Sequence, residues 1–360
     1  PMDVFSALGR RDRWNRFRGR GRVGERLWVL SPVSLSVSSD PDWALGYYGR
    51  LAPRVESAAS GLGLTRRIVW TFAPEHAGCS SGLGGELLVY QAADEPATKS
   101  RNPARTTEIE RRHISESDIV FVASEALLAA RRQLGNVHRL PNAADRKHYA
   151  RVLTGDPEAS MDEMLDAIRR PSVVPEGLGG RGRPVVMFGG AAYSWFDGEM
   201  LQEVARARPS FRFLLVGPLG RELRSLSLPE NVLAVGRRSY EEFVWYVAFS
   251  DVGIIPLREG ESARNCDPIV MYEFLLCGKP VVATDFPAAR ERAPMVRTAG
   301  DAASFAEQID LALEHDVSEE GVRSRASFGF SCTWEDRART ALGLIGELAD
   351  PANDGGGGTG

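Results

Sequence analysis

The segment NCDPIVMYEFLLCGKPVVATD (265–285) carries the densest chemical signal in the chain. Its apolar run IVMYEFLLC contains one charge, Glu273. The run reads as a buried helix over 267–277, with Asp267 as N-cap, Pro268 in the first turn and Gly278 as the stop. A bare carboxylate in such a helix is costly unless it is paired or hydrogen-bonded. One reading of Glu273 is a structural hydrogen bond to a neighbouring loop. The other is that it accepts hydrogen bonds from a ligand's vicinal hydroxyls, such as those of a ribose. The amino end of the same helix, at Asp267, Pro268 and Ile269, offers N–H groups and a positive dipole end to phosphate. Phosphate at the helix start and ribose further along make one nucleotide-diphosphate site.

The elements that would position this site alternate. Apolar runs of strand length occur at 184–190, 211–217, 231–236, 251–257, 279–285 and 295–300, with helices expected at 197–207, 240–249, 267–277 and 301–314. That order predicts a doubly wound α/β unit with a parallel sheet. Open parallel sheets bind ligands beyond the carboxyl ends of their strands. Gly189 and Gly190 end the first of these strands and Gly217 the second, where a ligand can approach the backbone closely. Upstream, strands are expected at 27–31, 67–72, 86–91, 118–124 and 137–141, and helices at 42–61, 104–116 and 124–134. This makes a second α/β unit.

The expected organisation is a basic arm (1–26), a first Rossmann-like domain (27–170), a linker (171–183), and a second Rossmann-like domain (184–332). A C-terminal helix (333–350) crossing back to the first domain and a flexible tail (351–360) complete it. The linker reading rests on the Pro- and Gly-rich run PSVVPEGLGGRGRP. In the arm, Arg10 to Arg26 hold eight arginines against Asp12 and Glu25. The arm reads either as a solvated face or as a patch for anionic lipid headgroups or a phosphate-bearing acceptor.

Composition bounds the rest. At 360 residues the chain exceeds one comfortable core. A net charge of -4 argues against nucleic acid as partner. The four cysteines, Cys79, Cys266, Cys277 and Cys332, are scattered and form no CxxC pair, so neither a disulfide frame nor a zinc site is expected. No apolar run reaches the length of a membrane span. Those features, and the lack of a secretion signal, predict a cytoplasmic protein, with the basic arm allowing peripheral contact at the inner face of the cell membrane.

Three runs bring a family into view: AYSWFDGEMLQEVARARPSFRFLLVGP (192–218), NVLAVGRRSYEEF (231–243) and DPIVMYEFLLCGKPVVATDFP (267–287). In order and spacing they resemble the nucleotide-sugar domain of GT-B glycosyltransferases of the family 4 and family 1 type. The first resembles the WFD opening of a bacterial subgroup acting on polysaccharide or glycolipid acceptors. LLVYQAADE (87–95) and SDIVFVASEALLAARRQLGNVHRLPNAADRKHY (117–149) resemble the first domain more weakly. The resemblance spans about residues 65–345. It implies two Rossmann-like domains facing a cleft, the first without its usual opening strand.

The resemblance also implies roles. Glu273 stands where the family places its ribose-binding second glutamate. The first glutamate of the family's pair would fall at 265, which is Asn265 here. Val270 stands where many relatives have a lysine, so Arg237, Arg238, Arg258 and Arg264 are the substitute phosphate cations. Residues 233–238 resemble the loop that packs the base, with uridine and guanosine both open. Asp94 and Glu95, ending a first-domain strand, are candidates for acceptor base or helix cap, and His76 is a further candidate in that domain. The implied reaction is sugar transfer from a UDP- or GDP-linked donor to a glycan, glycolipid or secondary-metabolite hydroxyl, with retention and with no metal or other cofactor. Two alternatives stay open: a degenerate or truncated GT-B protein that binds nucleotide or partners an intact transferase, and a sugar-nucleotide epimerase of the same fold.

Overall fold

A computed structural model describes residues 20–22, 28–30, 38, 40–80, 82–176, 178 and 182–349. The basic arm outside Arg20–Arg22, part of the expected linker and the tail at 351–360 lie outside the described residues. The described chain divides into two compact units. The first runs to Val122 and takes in Leu127–Arg139; the second holds Ala123–Ala126 and the chain from Leu140 onward.

In the first unit, strands β3 (Ile68–Thr71), β4 (Leu87–Ala92), β5 (Ile119–Val122) and β6 (Val137–Arg139) form a parallel sheet in sequence order. Strand β5 is buried along its whole length, as a strand covered on both faces must be. Helices α1 (Pro41–Ser60), α2 (Pro103–Glu116) and α3 (Glu125–Arg131) alternate with the strands. Asp40 caps α1 through the Trp43 amide, and Asn102 caps α2 through Arg105. The run at 27–31 forms a strand but does not join this sheet. Trp28–Leu30 (β2) pairs antiparallel with Arg20–Arg22 (β1) as a separate ribbon.

The second unit is a six-stranded parallel sheet of order β12-β11-β10-β7-β8-β9. Its strands are β7 (Val185–Gly189), β8 (Arg212–Val216), β9 (Val232–Gly236), β10 (Val252–Ile255), β11 (Val281–Thr284) and β12 (Val296–Ala299). Each falls within an expected run. The order runs outward from β7 to β9, then resumes on the other side of β7 with β10. The crevice at such a reversal is where doubly wound sheets take their ligands.

The division between the units falls earlier than the expected linker. Helices α4 (Arg146–Thr154) and α5 (Met161–Arg169), foreseen as part of the first domain, belong to the second unit. The reason is burial. Tyr149, Leu153, Met164, Leu165 and Ile168 join one apolar cluster with Met187, Tyr246 and Leu275. The second unit also contains α6 (Gly198–Ala207), α7 (Tyr240–Phe249), α8 (Ile269–Leu276), α9 (Ala302–His315), α10 (Glu319–Ser331) and α11 (Trp334–Ala349). The start of α11 is tied within this unit by a bridge between Thr333 and Ala144. Among the described residues no helix is long and apolar enough to cross a membrane.

Candidate functional site

The crevice of the second unit is lined by glycine for steric reasons. Gly189 ends β7 against Phe243 of α7 and Val270 of α8; a Cβ there would come within 2.5 Å of the Phe243 ring. The start of α8 therefore covers the carboxyl end of β7. Gly217 follows β8 with φ of +146°, and its added Cβ would lie 1.9 Å from the Gly190 carbonyl oxygen. No side chain fits there. The Gly190 amide donates to Val216 and the Gly217 amide to Gly236, so the strand ends continue the sheet's lateral bonding.

Helix α8 is buried from Met271 to Leu276, as its all-round apolar sequence requires. Its two nearby carboxylates have different fates. Asp267 does not cap the helix; Pro268 occupies the N-cap position. The Asp267 carboxylate turns inward instead. It accepts from the Asn142 amide at 2.8 Å and from the Tyr272 hydroxyl at 2.9 Å, and pairs with Arg292 at 3.4 Å. The Asn142 side chain closes the arrangement on the Asp267 carbonyl at 2.6 Å. Asp267 thus fixes the segment before α4 to the segment before α8.

Glu273 is 5% exposed. Its Oε1 accepts from the Tyr240 hydroxyl at 2.9 Å. The Tyr149 hydroxyl is buried nearby, lowering the acidity penalty without closing a hydrogen bond of good geometry. No cation pairs with Glu273. Burial therefore dominates and pushes its acid constant up to about 7, against the Tyr240 and Tyr149 hydroxyls and with a small push from the Asp145 charge.

The arginines separate into two groups. Arg258 is held by the Phe196 carbonyl at 3.3 Å and by Glu199 at 3.7 Å, while its amide donates to Trp195. Arg238 reaches the Tyr246 hydroxyl at 3.3 Å and Glu176 at 3.4 Å. Arg237 and Arg264 are exposed, and neither forms an ion pair among the described residues. Ile269, the first residue of α8, is also exposed. Asn265 offers its carbonyl to Ser124 at 2.8 Å. Asp197 caps α6 by accepting from Met200.

The three first-unit candidates are not equivalent. Glu95 pairs with Arg131 at 2.9 Å, and Arg131 also holds Glu110 at 2.8 Å. Asp94 is exposed and pairs with Lys99. His76, on a short turn at Pro74–His76, accepts from the Phe72 amide through Nδ1 at 3.2 Å. Its ring meets Tyr48 edge-on, and burial lowers its basicity. Among the described residues no group of three His, Cys, Asp or Glu side chains is arranged to hold a metal ion.

Sequence reasoning missed Tyr240, Tyr149 and His148, the aromatic group around Glu273. Tyr240 lies 33 residues from Glu273 in sequence, and nothing in its helix-start position indicates the contact.

Comparison with known proteins agrees with this geometry. Residues 183–315 match the family model described as glycosyl transferases group 1. A Bacillus subtilis (strain 168) protein, named as the teichuronic acid biosynthesis glycosyltransferase TuaH, is 35% identical over 117 residues. That alignment covers 31% of this chain and 29% of the relative's length. The sucrose-phosphate synthase of Thermosynechococcus elongatus superposes with a TM-score of 0.68 at 16% identity, over 93% of this chain and 86% of its own. Anabaena HepE, solved in complex with UDP, gives 0.60 at 18% identity, over 88% and 86%. The chain is a GT-B protein of two Rossmann-like units, and its second unit carries the group 1 glycosyl transferase pattern over residues 183–315.

Proposed function

We propose that the protein is a glycosyltransferase that moves a sugar from a nucleotide-diphosphate sugar to an acceptor hydroxyl. The observation that carries this reading is Glu273: a buried carboxylate without a cation, on the helix that covers the strand-order reversal. A carboxylate there accepts both hydroxyls of a ribose. The α8 amino end and the exposed guanidinium groups of Arg237 and Arg264 take the diphosphate charge. Transfer proceeds with retention and without a metal cofactor, as the resemblance to family 4 enzymes implies. UDP is the first nucleotide to test, because HepE was solved with it. A cell-envelope polysaccharide is the first acceptor class to test, because the Bacillus relative is named for teichuronic acid synthesis. On the acceptor side, Asp94 is the exposed carboxylate, whereas Glu95 is already committed to Arg131.

Incubation with radiolabelled UDP-sugars and cell-envelope acceptors tests the assignment. Label moving to acceptor, or to water when acceptor is withheld, supports a transferase. Nucleotide binding without either product points to a binding protein. Epimerised free sugar points to an epimerase.

A further inference from the structure

We infer that Tyr240 is a positioning residue for the donor site: its hydroxyl fixes one oxygen of Glu273 so that the remaining lone pairs face the ribose. The inference rests on the donor-site reading of Glu273.

Four observations support it. The Tyr240 hydroxyl donates to Glu273 Oε1 at 2.9 Å. The Tyr240 ring is itself fixed from outside its own helix. It stacks face to face on His148 of α4, with centroids 4.2 Å apart and planes 7° apart, and meets Tyr149 edge-on at 6.2 Å. The helix start that carries Tyr240 is held by a reciprocal cap between Ser239 and Glu242. Yet the residue remains 43% exposed, so it sits at the rim of the site rather than in the core.

A carboxylate has about four lone-pair sites. One hydrogen bond from Tyr240 leaves enough to accept a vicinal diol, and it orients the carboxyl plane before the ligand arrives. It also favours the charged form, which is the form that accepts both hydroxyls. The groups facing Glu273 are few: Tyr240 from α7, Tyr149 and His148 from α4, Asp145 at the cap of α4, and the Cys277 thiol beyond α8. Asp145 opposes ionisation, and the thiol, pushed up to about 12 by burial, stays neutral. Tyr240 is therefore the principal group that helps Glu273 to ionise.

The test uses Tyr240→Phe, which keeps the stacked ring and removes the hydroxyl. In the ligand-free full chain, the side-chain carbon resonance of Glu273 is followed against pH in both proteins. The expected result is a midpoint about one unit higher in the variant, the size of one hydrogen bond to a charged group. UDP affinity is then compared as a ratio of wild type to variant, which cancels titration of the nucleotide. The expected ratio is about tenfold below the midpoint and near one at pH 9.5. In a Glu273→Gln background the ratio is expected to be flat. An unmoved midpoint, a pH-independent ratio, or tighter binding by Tyr240→Phe would overturn the inference. UDP affinity untouched by Glu273→Gln would instead overturn the donor-site reading itself.

Discussion

Each unit buries a carboxylate, and the two solve the cost differently. In the first, Glu110 accepts from the Tyr90 hydroxyl at 2.9 Å and from Arg131 at 2.8 and 3.1 Å, with Glu95 on the same guanidinium. Burial works against the Arg131 charge, but Glu110 and then Glu95 hold its acid constant above the ordinary value. In the second, Glu273 has phenol hydroxyls as neighbours and no cation. Asp267, a few residues away, follows the first pattern through Arg292. A buried carboxylate closed by a cation has its hydrogen-bonding capacity filled and serves the fold. One left with only a phenol keeps capacity for a ligand and carries a desolvation cost that the fold alone does not explain.

The contrast predicts the largest effect at Arg131. Arg131→Met leaves Glu95 and Glu110 buried without a cation and is expected to cost about 3–5 kcal/mol of first-unit stability. Denaturant unfolding measures the loss, and UDP affinity of the remaining folded protein is expected to be unchanged.

Glu273→Gln is expected to do the reverse. The folded-state acid constant near 7 lies above the ordinary 4.5, so the folded state keeps a proton that the unfolded chain releases. The resulting penalty is absent below pH 4.5 and fully present above pH 7. The variant should therefore be more stable than wild type at pH 8, by up to about 3 kcal/mol, with the gain vanishing by pH 4.5. Thermal melts at the two pH values read this directly. A variant less stable at pH 8 would place Glu273 with the structural carboxylates.

His113 gives the opposite slope in the first unit. Burial, with a smaller contribution from His76, lowers its acid constant to about 4. Thr71 donates its hydroxyl to the Val89 carbonyl at 3.0 Å and so accepts from His113 Nε2 at 2.8 Å. The other ring nitrogen is buried without a hydrogen-bond partner. The unfolded chain takes up a proton that the folded imidazole refuses. Stability present above pH 6.5 is then lost as pH falls towards 4, by about 3 kcal/mol. Hydrogen exchange in β3 to β5 at pH 7 and pH 4.5 should show that loss, and His113→Phe should abolish its pH dependence.

The smallest effect is expected at Asp94. Its pair with Lys99 is solvent-exposed, and Asp94→Asn should change stability by less than about 0.5 kcal/mol in a melt. Any larger effect on transfer rate would then belong to chemistry rather than to folding.

Much of this architecture is legible in the sequence because strands buried on both faces read as short apolar runs between turn residues. All six second-unit strands fall in runs visible that way, and α8 is marked by Pro268 before it and Gly278 after it. The division between the units is not legible. The Pro-rich run at 171–184 resembles a linker, but what decides membership is the burial of Tyr149, Met164 and Leu165 against β7 and α8. Such contacts join residues far apart in sequence. The same applies within the site. Glu273 stands out as the single charge in an apolar helix, whereas the inward turn of Asp267 depends on Arg292 and Asn142, distant residues whose spacing carries no signal.

Calorimetric titration of UDP, GDP, TDP and ADP into wild type and Glu273→Ala tests the central claim most directly. The account predicts that one nucleotide binds and that the substitution weakens it by roughly 1–3 kcal/mol, the range for hydrogen bonds to a charged group. Equal affinity in the two proteins, or no binding by folded wild type, would contradict it.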